Sequence, residues 1–209
     1  MYTLTKYYTY KPFYKNKYLI SACFFNLNKP YKNFKIYIEG LQRILKSLIK
    51  KKDFIFRLYY DKSVDKYIKN IKKESKLKDR LQLVKINHNY YNTIFMMLLR
   101  FIPFFDTEKY KLFLISDIDS FILNYKDIYN NIKIINHSNI DILVEQYNYI
   151  YDIDCKWRLP YPYSFIAPSI IVKNKIKQNY LKKFLDEMPD VSNKLNAKTL
   201  DNDIYFKYG

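Results

Sequence analysis

Hydrophobic and polar residues alternate along the first half of the chain between two patterns. Short apolar runs of strand length occupy residues 17–27, 54–60, 81–86 and 112–116. Helix-like segments separate these runs, over residues 33–51, 64–73 and 92–101. We expect Ser63 to cap the second of these helices and Pro103 to close the third. Alternation of strands with helices predicts an α/β fold with a mostly parallel central sheet flanked by helices.

The pattern is less regular after residue 120. We predict further strands over residues 140–144 and 163–172, and a helix over residues 173–188. Residues 147–162 are rich in Tyr and Pro and are predicted to form a long loop, a kind of segment that often carries function. No repeat, linker or domain boundary is evident, so we predict a single domain over residues 1–209, which could also be one module of a longer protein.

The fourth apolar run ends abruptly in Asp117-Ile118-Asp119, and apolar residues resume directly afterwards. Two carboxylates at positions i and i+2 can anchor a hard divalent cation that bridges the phosphates of a nucleotide. Open α/β sheets bind ligands just beyond the carboxyl ends of their strands, which is where this pair falls. The same spacing recurs at residues 152–154 and 201–203, and solvated loops or helix caps are the alternative explanation for such pairs.

Composition restricts how a phosphate could be held. Hydrophobic residues make up 49% of the chain and aromatic residues 19%, which is enough for a folded core. Gly40 and Gly209 are the only glycines, so a glycine-rich phosphate loop is excluded and a metal with basic side chains must replace it. The two cysteines, Cys23 and Cys155, form no metal-binding motif, and we expect a reducing, cytoplasmic environment.

The formal net charge of +17 comes mostly from lysine. An AT-rich genome explains the excess of Lys, Asn, Ile and Tyr, and a surface for polyanions is the alternative. No zinc-finger or RNA-recognition motif accompanies the charge, so we expect no specific nucleic-acid partner. No apolar stretch reaches the roughly 18 residues of a transmembrane helix. Peripheral contact with an anionic membrane remains open.

One combination of motifs resembles a known family. The segment Met-Met-Leu-Leu-Arg-Phe-Ile-Pro at residues 96–103, followed by a strand that ends in Asp-Ile-Asp-Ser at 117–120, resembles the GT-A-fold glycosyltransferases with their Asp-x-Asp motif. Small glycosyltransferase domains of large DNA viruses are similar. The resemblance covers residues 17–208. It implies transfer of a sugar from a UDP- or GDP-sugar to a glycan or glycoprotein hydroxyl, with Mn²⁺ or Mg²⁺ as cofactor, in the host cytoplasm if the protein is viral.

The resemblance also assigns roles at the candidate metal site. It implies that Asp119 ligates the metal directly, and that Asp117 contacts the donor ribose or the metal through water. Arg100 would face the phosphates or the sugar of the donor, a task that suits the forked donors of a guanidinium. The alternative for Arg100 is a helix-surface residue that pairs with a carboxylate.

Other positions are candidates for donor contacts. By the resemblance, Asn26 and Asn28 follow the first strand and contact the base or ribose, and Asp61 follows the second strand and contacts the base. Turn formation is the alternative for the two asparagines, and a helix cap for the aspartate.

Downstream candidates concern the acceptor. Glu145 follows a predicted strand, and Trp157 and Arg158 match the aromatic and basic acceptor residues of the family. Asp203 or Asp201 would act as the general base that an inverting reaction requires, with a helix cap as the alternative. The chain departs from the family because residues 166–170 lack glycine and no histidine lies near the C-terminus; the histidines are His88 and His137.

Two other classes of protein remain open. An apolar strand that ends in Asp-x-Asp also begins the haloacid-dehalogenase-like phosphatases, but Phe121 breaks that motif and more than half of the chain precedes it. A non-enzymatic nucleic-acid or membrane-surface binder would use lysines and stacking tyrosines. The tyrosines, however, follow the apolar periodicity and need no ligand to explain them.

Overall fold

The computed structural model describes residues 3–26, 33–87, 93–105, 107–119, 124–144 and 170–173, with the backbone alone for 93–95 and 144. These residues form one seven-stranded sheet with helices against it. The strands are β1 Thr3–Lys6, β2 Tyr18–Phe24, β3 Phe54–Tyr60, β4 Leu81–Asn87, β5 Leu112–Ile115, β6 Ile142–Val144 and β7 Ile170–Val172. The helices are α1 Phe34–Leu48, α2 Asp65–Glu74, α3 Thr93–Leu98 and α4 Tyr125–Asn136, with 3-10 helices at Pro12–Asn16, Lys62–Val64, Lys78–Arg80 and Leu99–Phe104.

The strands lie in the order β1-β4-β3-β2-β5-β7-β6. The central four, β4, β3, β2 and β5, are parallel, whereas β7 is antiparallel to both of its neighbours and β1 is antiparallel to β4. The predicted α/β fold with a mostly parallel central sheet is confirmed. The chain moves from β2 outward to β3 and β4 and then returns to β5 on the other side of β2. This reversal creates a topological switch point between β2 and β5, the place where open α/β sheets bind ligands.

The central strands are covered on both faces, as parallel strands require. Every residue of β3 and of β5 is buried. On one face, alternate residues such as Phe56 and Leu114 pack against apolar positions of α1, α2 and α4. On the opposite face, Ile55 and Phe113 pack in a cluster with Tyr14 from the segment that precedes β2. The continuous apolar runs in the sequence reflect this two-sided burial.

Several predicted boundaries were wrong for identifiable reasons. Asp61, not Ser63, caps the turn after β3, because its carboxylate accepts the backbone N–H of Ser63 at 3.0 Å. The helix predicted at 92–101 divides at Leu98 into α3 and a 3-10 helix that contains Pro103. Proline has no backbone N–H and so cannot donate a hydrogen bond in the interior of an α-helix. The chain around Pro103 therefore continues as a short 3-10 helix, which has fewer residues per turn.

The edges of the sheet were predicted less well than its centre. Neither β1 nor the antiparallel direction of β7 was predicted, and β6 begins at Ile142 rather than at 140. The predicted loop at 147–162, all but the first residue of the helix at 173–188, and most of the strand at 163–172 lie outside the described residues. Within the part of the chain that the structure describes, no helix is long and apolar enough to cross a bilayer.

Candidate functional site

The Asp117-Ile118-Asp119 segment leaves β5 at the switch point of the sheet. The backbone N–H of Ser116 donates to the carbonyl of Ser21 in β2 at 3.0 Å, which continues the strand pairing up to the first aspartate. The Ser116 hydroxyl donates to the carbonyl of Asp117 at 3.0 Å. The two carboxylates therefore lie at the carboxyl edge of the parallel strands, as the hydrophobic pattern of the sequence predicts.

Helix α1 presses against this segment through its only glycine. A Cβ placed on Gly40 would lie 1.8 Å from the carbonyl oxygen of Ile118 and 3.2 Å from the Cα of Asp119. Ile118 is buried and belongs to the same core cluster as the apolar face of α1. Sequence reasoning missed this contact. The available signal was a single internal glycine in a helix interior, where glycine is unfavourable unless close approach requires it.

Arg100 and Asp117 form an ion pair, in which Nη1 of the guanidinium donates to Oδ1 of the carboxylate. The Arg100 side chain is only 11% exposed, and that of Asp117 is 33% exposed. Burial lowers the pKa of Arg100, and electrostatic attraction to the thiolate form of Cys23 and to Asp119 opposes that shift. Nε of Arg100 is buried and has no hydrogen-bond partner among the described residues. Arg100 therefore does pair with a carboxylate, as the alternative interpretation predicts. It is largely buried rather than on the helix surface, however, and its partner belongs to the candidate metal site.

Asp119 differs from Asp117 in its surroundings. It is half-buried, and among the described residues its carboxylate has no hydrogen bond or ion pair of its own. No cluster of three or more ligating side chains exists in the described part of the chain. The described side chains alone therefore do not form a complete cation site. Mg²⁺ and similar cations are commonly held by one or two carboxylates together with substrate phosphates and water, and for such a cation the donor set is sufficient.

Cys23 lies at the end of β2, beside Arg100. Its thiol contacts the carbonyl of Met97 at 3.7 Å. Burial raises the pKa of Cys23 to about 12, although the charge of Arg100 acts in the opposite direction. The thiol is therefore neutral at physiological pH, and it contributes apolar bulk under the site rather than a nucleophile.

Two predicted base contacts lie at the same edge and are linked to each other. The backbone N–H of Asn26, just after β2, donates to Oγ of Ser63 at 2.9 Å, and that hydroxyl in turn donates to Asp61. Asp61 is 3% exposed and caps the 3-10 helix after β3. The carboxyl edge thus brings together Asn26, Asp61, Asp117, Asp119 and the Arg100 side chain. The roles of Asn26 and Asp61 toward a base stay predictions.

Of the two histidines, the structure describes His137. It is the C-cap of α4, and its backbone N–H donates to the carbonyl of Lys133. The remaining candidate site residues and His88 are not described. The candidates that lie outside the described residues are Asn28, His88, Glu145, Trp157, Arg158, Asp201 and Asp203.

The fold and the site define an α/β protein with a carboxylate pair at the switch point of a largely parallel sheet. No protein-family model matches the sequence. No curated protein matches it either. Among solved structures, the chain is similar to the 4-diphosphocytidyl-2C-methyl-D-erythritol synthase of Anaerococcus prevotii, with 14% identity and a TM-score of 0.49 over 81% of this chain and 76% of that one.

Proposed function

We propose that this protein is a metal-dependent glycosyltransferase that takes a sugar from a nucleotide-diphosphate donor. The observation that carries the proposal is the arrangement of Asp117 and Asp119 at the switch point. Asp117 is held by Arg100, while Asp119 remains half-exposed at the carboxyl edge beside it. Parallel α/β sheets bind nucleotides at this edge, and the pair supplies oxygen ligands there.

Arg100 and the carboxylates divide the binding of the donor between them. Asp119 would hold Mn²⁺ or Mg²⁺, and Asp117 would contact the ribose or the metal through water. Such a cation stabilises the negative charge that develops on a departing nucleoside diphosphate. Arg100 would supply a second positive charge to the diphosphate, because its guanidinium carries five N–H donors and Asp117 accepts from Nη1 alone.

The finer assignments follow from the family resemblance. Asn26, Asn28 and Asp61 would contact the base or ribose of a UDP- or GDP-sugar. Asp203 or Asp201 would accept the proton of the attacking hydroxyl if the reaction inverts the anomeric carbon. Residues that would contact the glycan or glycoprotein acceptor are Glu145, Trp157 and Arg158.

A thermal-shift screen tests the proposal. The wild-type protein is heated with UDP, GDP, CDP and their sugars, each with Mn²⁺ or with EDTA. A ligand at 100 times its dissociation constant stabilises the native state by about 2.7 kcal/mol, so specific binding is measurable. We expect one nucleotide to raise the melting temperature only when metal is present, and Asp119→Asn to abolish that increase.

Asp53→Asn is the matched control, because it removes an exposed carboxylate that precedes β3, at the opposite edge of the sheet. It should leave the nucleotide-dependent shift unchanged. Absence of a shift with every nucleotide in the folded wild type would contradict the proposal.

Product analysis then separates glycosyl transfer from other reactions on nucleotides. Incubation of the best donor with a panel of hydroxyl acceptors should release the nucleoside diphosphate. Release of pyrophosphate from a nucleoside triphosphate, without sugar transfer, would instead indicate nucleotidyl transfer.

A further inference from the structure

The edge of the sheet opposite the Asp117–Asp119 segment carries a row of exposed lysines. The amino ends of β2, β3, β4 and β5 meet there because these four strands are parallel. The six exposed lysines of this row, here called the basic edge, are Lys15, Lys50, Lys52, Lys78, Lys109 and Lys111. None of them forms an ion pair with a described residue.

Hydrogen bonds from the backbone and from Arg80 join the segments of the basic edge into one surface. The N–H of Lys111 donates to the carbonyl of Lys17 at 2.8 Å, which ties the start of β5 to the start of β2. The Arg80 guanidinium donates to the carbonyls of Leu48 and Lys51, both at 2.9 Å, which ties the start of β4 to the end of α1. The lysines are therefore carried by ordered, adjacent segments rather than by independent loops.

Two acidic residues beside the six lysines, Asp53 and Asp79, pair with other lysines. Asp53 pairs with Lys17 at 3.9 Å, and Asp79 pairs with Lys11. Both partners are lysines outside the set of six, and of the six only Lys111 has a described side-chain contact, over the Tyr18 ring at 5.7 Å. Surface pairs of this kind are weak and do not cancel a field that several lysines produce together.

Large hydrophobic side chains are exposed at the same edge. Phe13 is 46% exposed in the turn that precedes β2, and Ile49 is 37% exposed directly before Lys50. The Tyr14 hydroxyl donates to the carbonyl of Asp79 at 2.7 Å, which fixes the turn carrying Phe13 beside the start of β4. Ile142, 48% exposed, begins β6 at this edge, in register with Val172.

We propose that the basic edge docks on an anionic lipid bilayer. Lysines next to exposed aromatic and aliphatic side chains match the charged headgroups and the apolar boundary beneath them. A nucleic acid would be attracted by the same lysines, but it offers exposed isoleucines no apolar layer to enter. In the docked orientation, the carboxyl edge with Asp117 and Asp119 faces away from the membrane, into water.

Vesicle co-sedimentation tests the proposal on the full chain. The probes are vesicles of phosphatidylcholine alone and of phosphatidylcholine with phosphatidylserine. The wild type should bind only the anionic vesicles. A variant with Lys50→Gln, Lys52→Gln and Lys111→Gln should bind about a hundredfold more weakly, since each lysine near an anionic surface contributes roughly fivefold.

The matched control replaces the same number of exposed lysines on another surface. The control variant carries Lys62→Gln, Lys66→Gln and Lys69→Gln, and it changes the net charge by the same amount. These exposed lysines lie in the 3-10 helix before α2 and in α2 itself. This control should retain binding to within about threefold of the wild type, because the lysines lie away from the basic edge. Equal loss in the two triple variants would overturn the proposal, since net charge alone would then explain binding.

A further variant separates lipid insertion from attraction. Phe13→Ser with Ile49→Ser keeps every charge and should weaken binding to anionic vesicles at least tenfold at raised salt. Unchanged binding of this variant, or wild-type binding to an oligonucleotide without binding to anionic vesicles, would overturn the proposal. Asp119→Asn should bind vesicles like the wild type, so this test is independent of the proposed catalytic activity.

Discussion

Gly40 of α1 lies against the carbonyl oxygen of Ile118, closer than any side chain would permit. A Cβ at this position would be 1.8 Å from that oxygen, which is far inside van der Waals contact. The backbone of the helix therefore supports the backbone of the segment between Asp117 and Asp119. The position of both carboxylates depends on the absence of a side chain one layer below them.

Gly40→Ala tests this dependence because two effects have opposite signs. Helix propensity alone would stabilise the protein by about 1 kcal/mol, since alanine is the better helix former. The clash with Ile118 should outweigh this gain and destabilise the fold by about 1–3 kcal/mol, as overpacking of a tight contact does. Chemical denaturation measures the sign. We also expect the nucleotide-dependent thermal shift to disappear.

Gln42→Ala is the control, in the same helix but exposed to solvent. It should change stability by less than about 0.5 kcal/mol and leave the nucleotide shift intact. A stabilised Gly40→Ala variant that still binds nucleotide would refute the support role of the glycine. Hydrogen exchange of residues 116–119 provides a measurement that does not depend on any nucleotide.

Removing either partner of the Arg100–Asp117 pair should have unequal consequences. Asp117→Ala leaves a nearly buried guanidinium without its carboxylate, and we expect a loss of about 3–5 kcal/mol. Arg100→Met leaves a carboxylate that water can reach, because Asp117 is 33% exposed, and should cost less. A double-mutant cycle measured by denaturation gives the coupling. Equal costs for the two single variants would show that burial does not distinguish the partners.

The centre of the fold could be predicted because burial leaves a direct record in the sequence. The run at 54–60 coincides with β3, all of whose residues are buried. The abrupt change from Ile115 to Asp117 indicates the end of a buried strand, and the switch-point rule then predicts a ligand site there. The Asp117–Asp119 segment was located correctly by this reasoning.

Contacts between distant segments could not be predicted. The pairing of Arg100 with Asp117 depends on how the 3-10 helix packs beside the end of β5, and hydrophobic spacing does not encode that geometry. Gly40 acts on residues far along the chain, so its role appears only when α1 is laid on the sheet. The antiparallel direction of β7 was not predicted, because the direction of a short apolar strand leaves no periodic pattern in the sequence.

Glu108→Gln should destabilise the protein, because Glu108 pairs with a buried arginine of the central sheet. Glu108 accepts a hydrogen bond from the fully buried guanidinium of Arg57 and another from Lys6 at 2.8 Å, which also ties the N-terminal strand to the core. Loss of the carboxylate charge should cost about 3–5 kcal/mol, because Arg57 cannot be hydrated. Thermal or chemical unfolding measures the effect.

The same substitution at Glu39 is the control. Its carboxylate is 46% exposed and lies 3.6 Å from Lys35 and from Arg43 within α1. Exposed pairs of this kind contribute no more than about 0.5 kcal/mol. Similar costs at Glu108 and Glu39 would show that the buried network does not stabilise the sheet.

Alkaline pH should lower the stability of the protein, first because of a cysteine and then because of buried tyrosines. Burial raises the pKa of Cys23 and of Tyr125 to about 12, and it also raises the pKa of Tyr110. In the unfolded chain these groups ionise near pH 8.5 for cysteine and about 10 for tyrosine. The native state therefore holds protons that the unfolded state releases, and stability falls as pH rises above about 8.5.

Melting temperatures measured at increasing pH should decline first as the thiol ionises in the unfolded chain. They should then decline more steeply as the tyrosines ionise there. Cys23→Ala should remove the early part of the decline and leave the later part, because only the thiol ionises at the lower pH in the unfolded chain. Exposed tyrosines ionise without unfolding, and the remaining rise in tyrosinate absorbance, from buried tyrosines, should accompany loss of the circular dichroism signal. If absorbance of all the tyrosines rose while the secondary structure was still intact, Tyr110 and Tyr125 would be ionising in the native state, and their burial would not protect them.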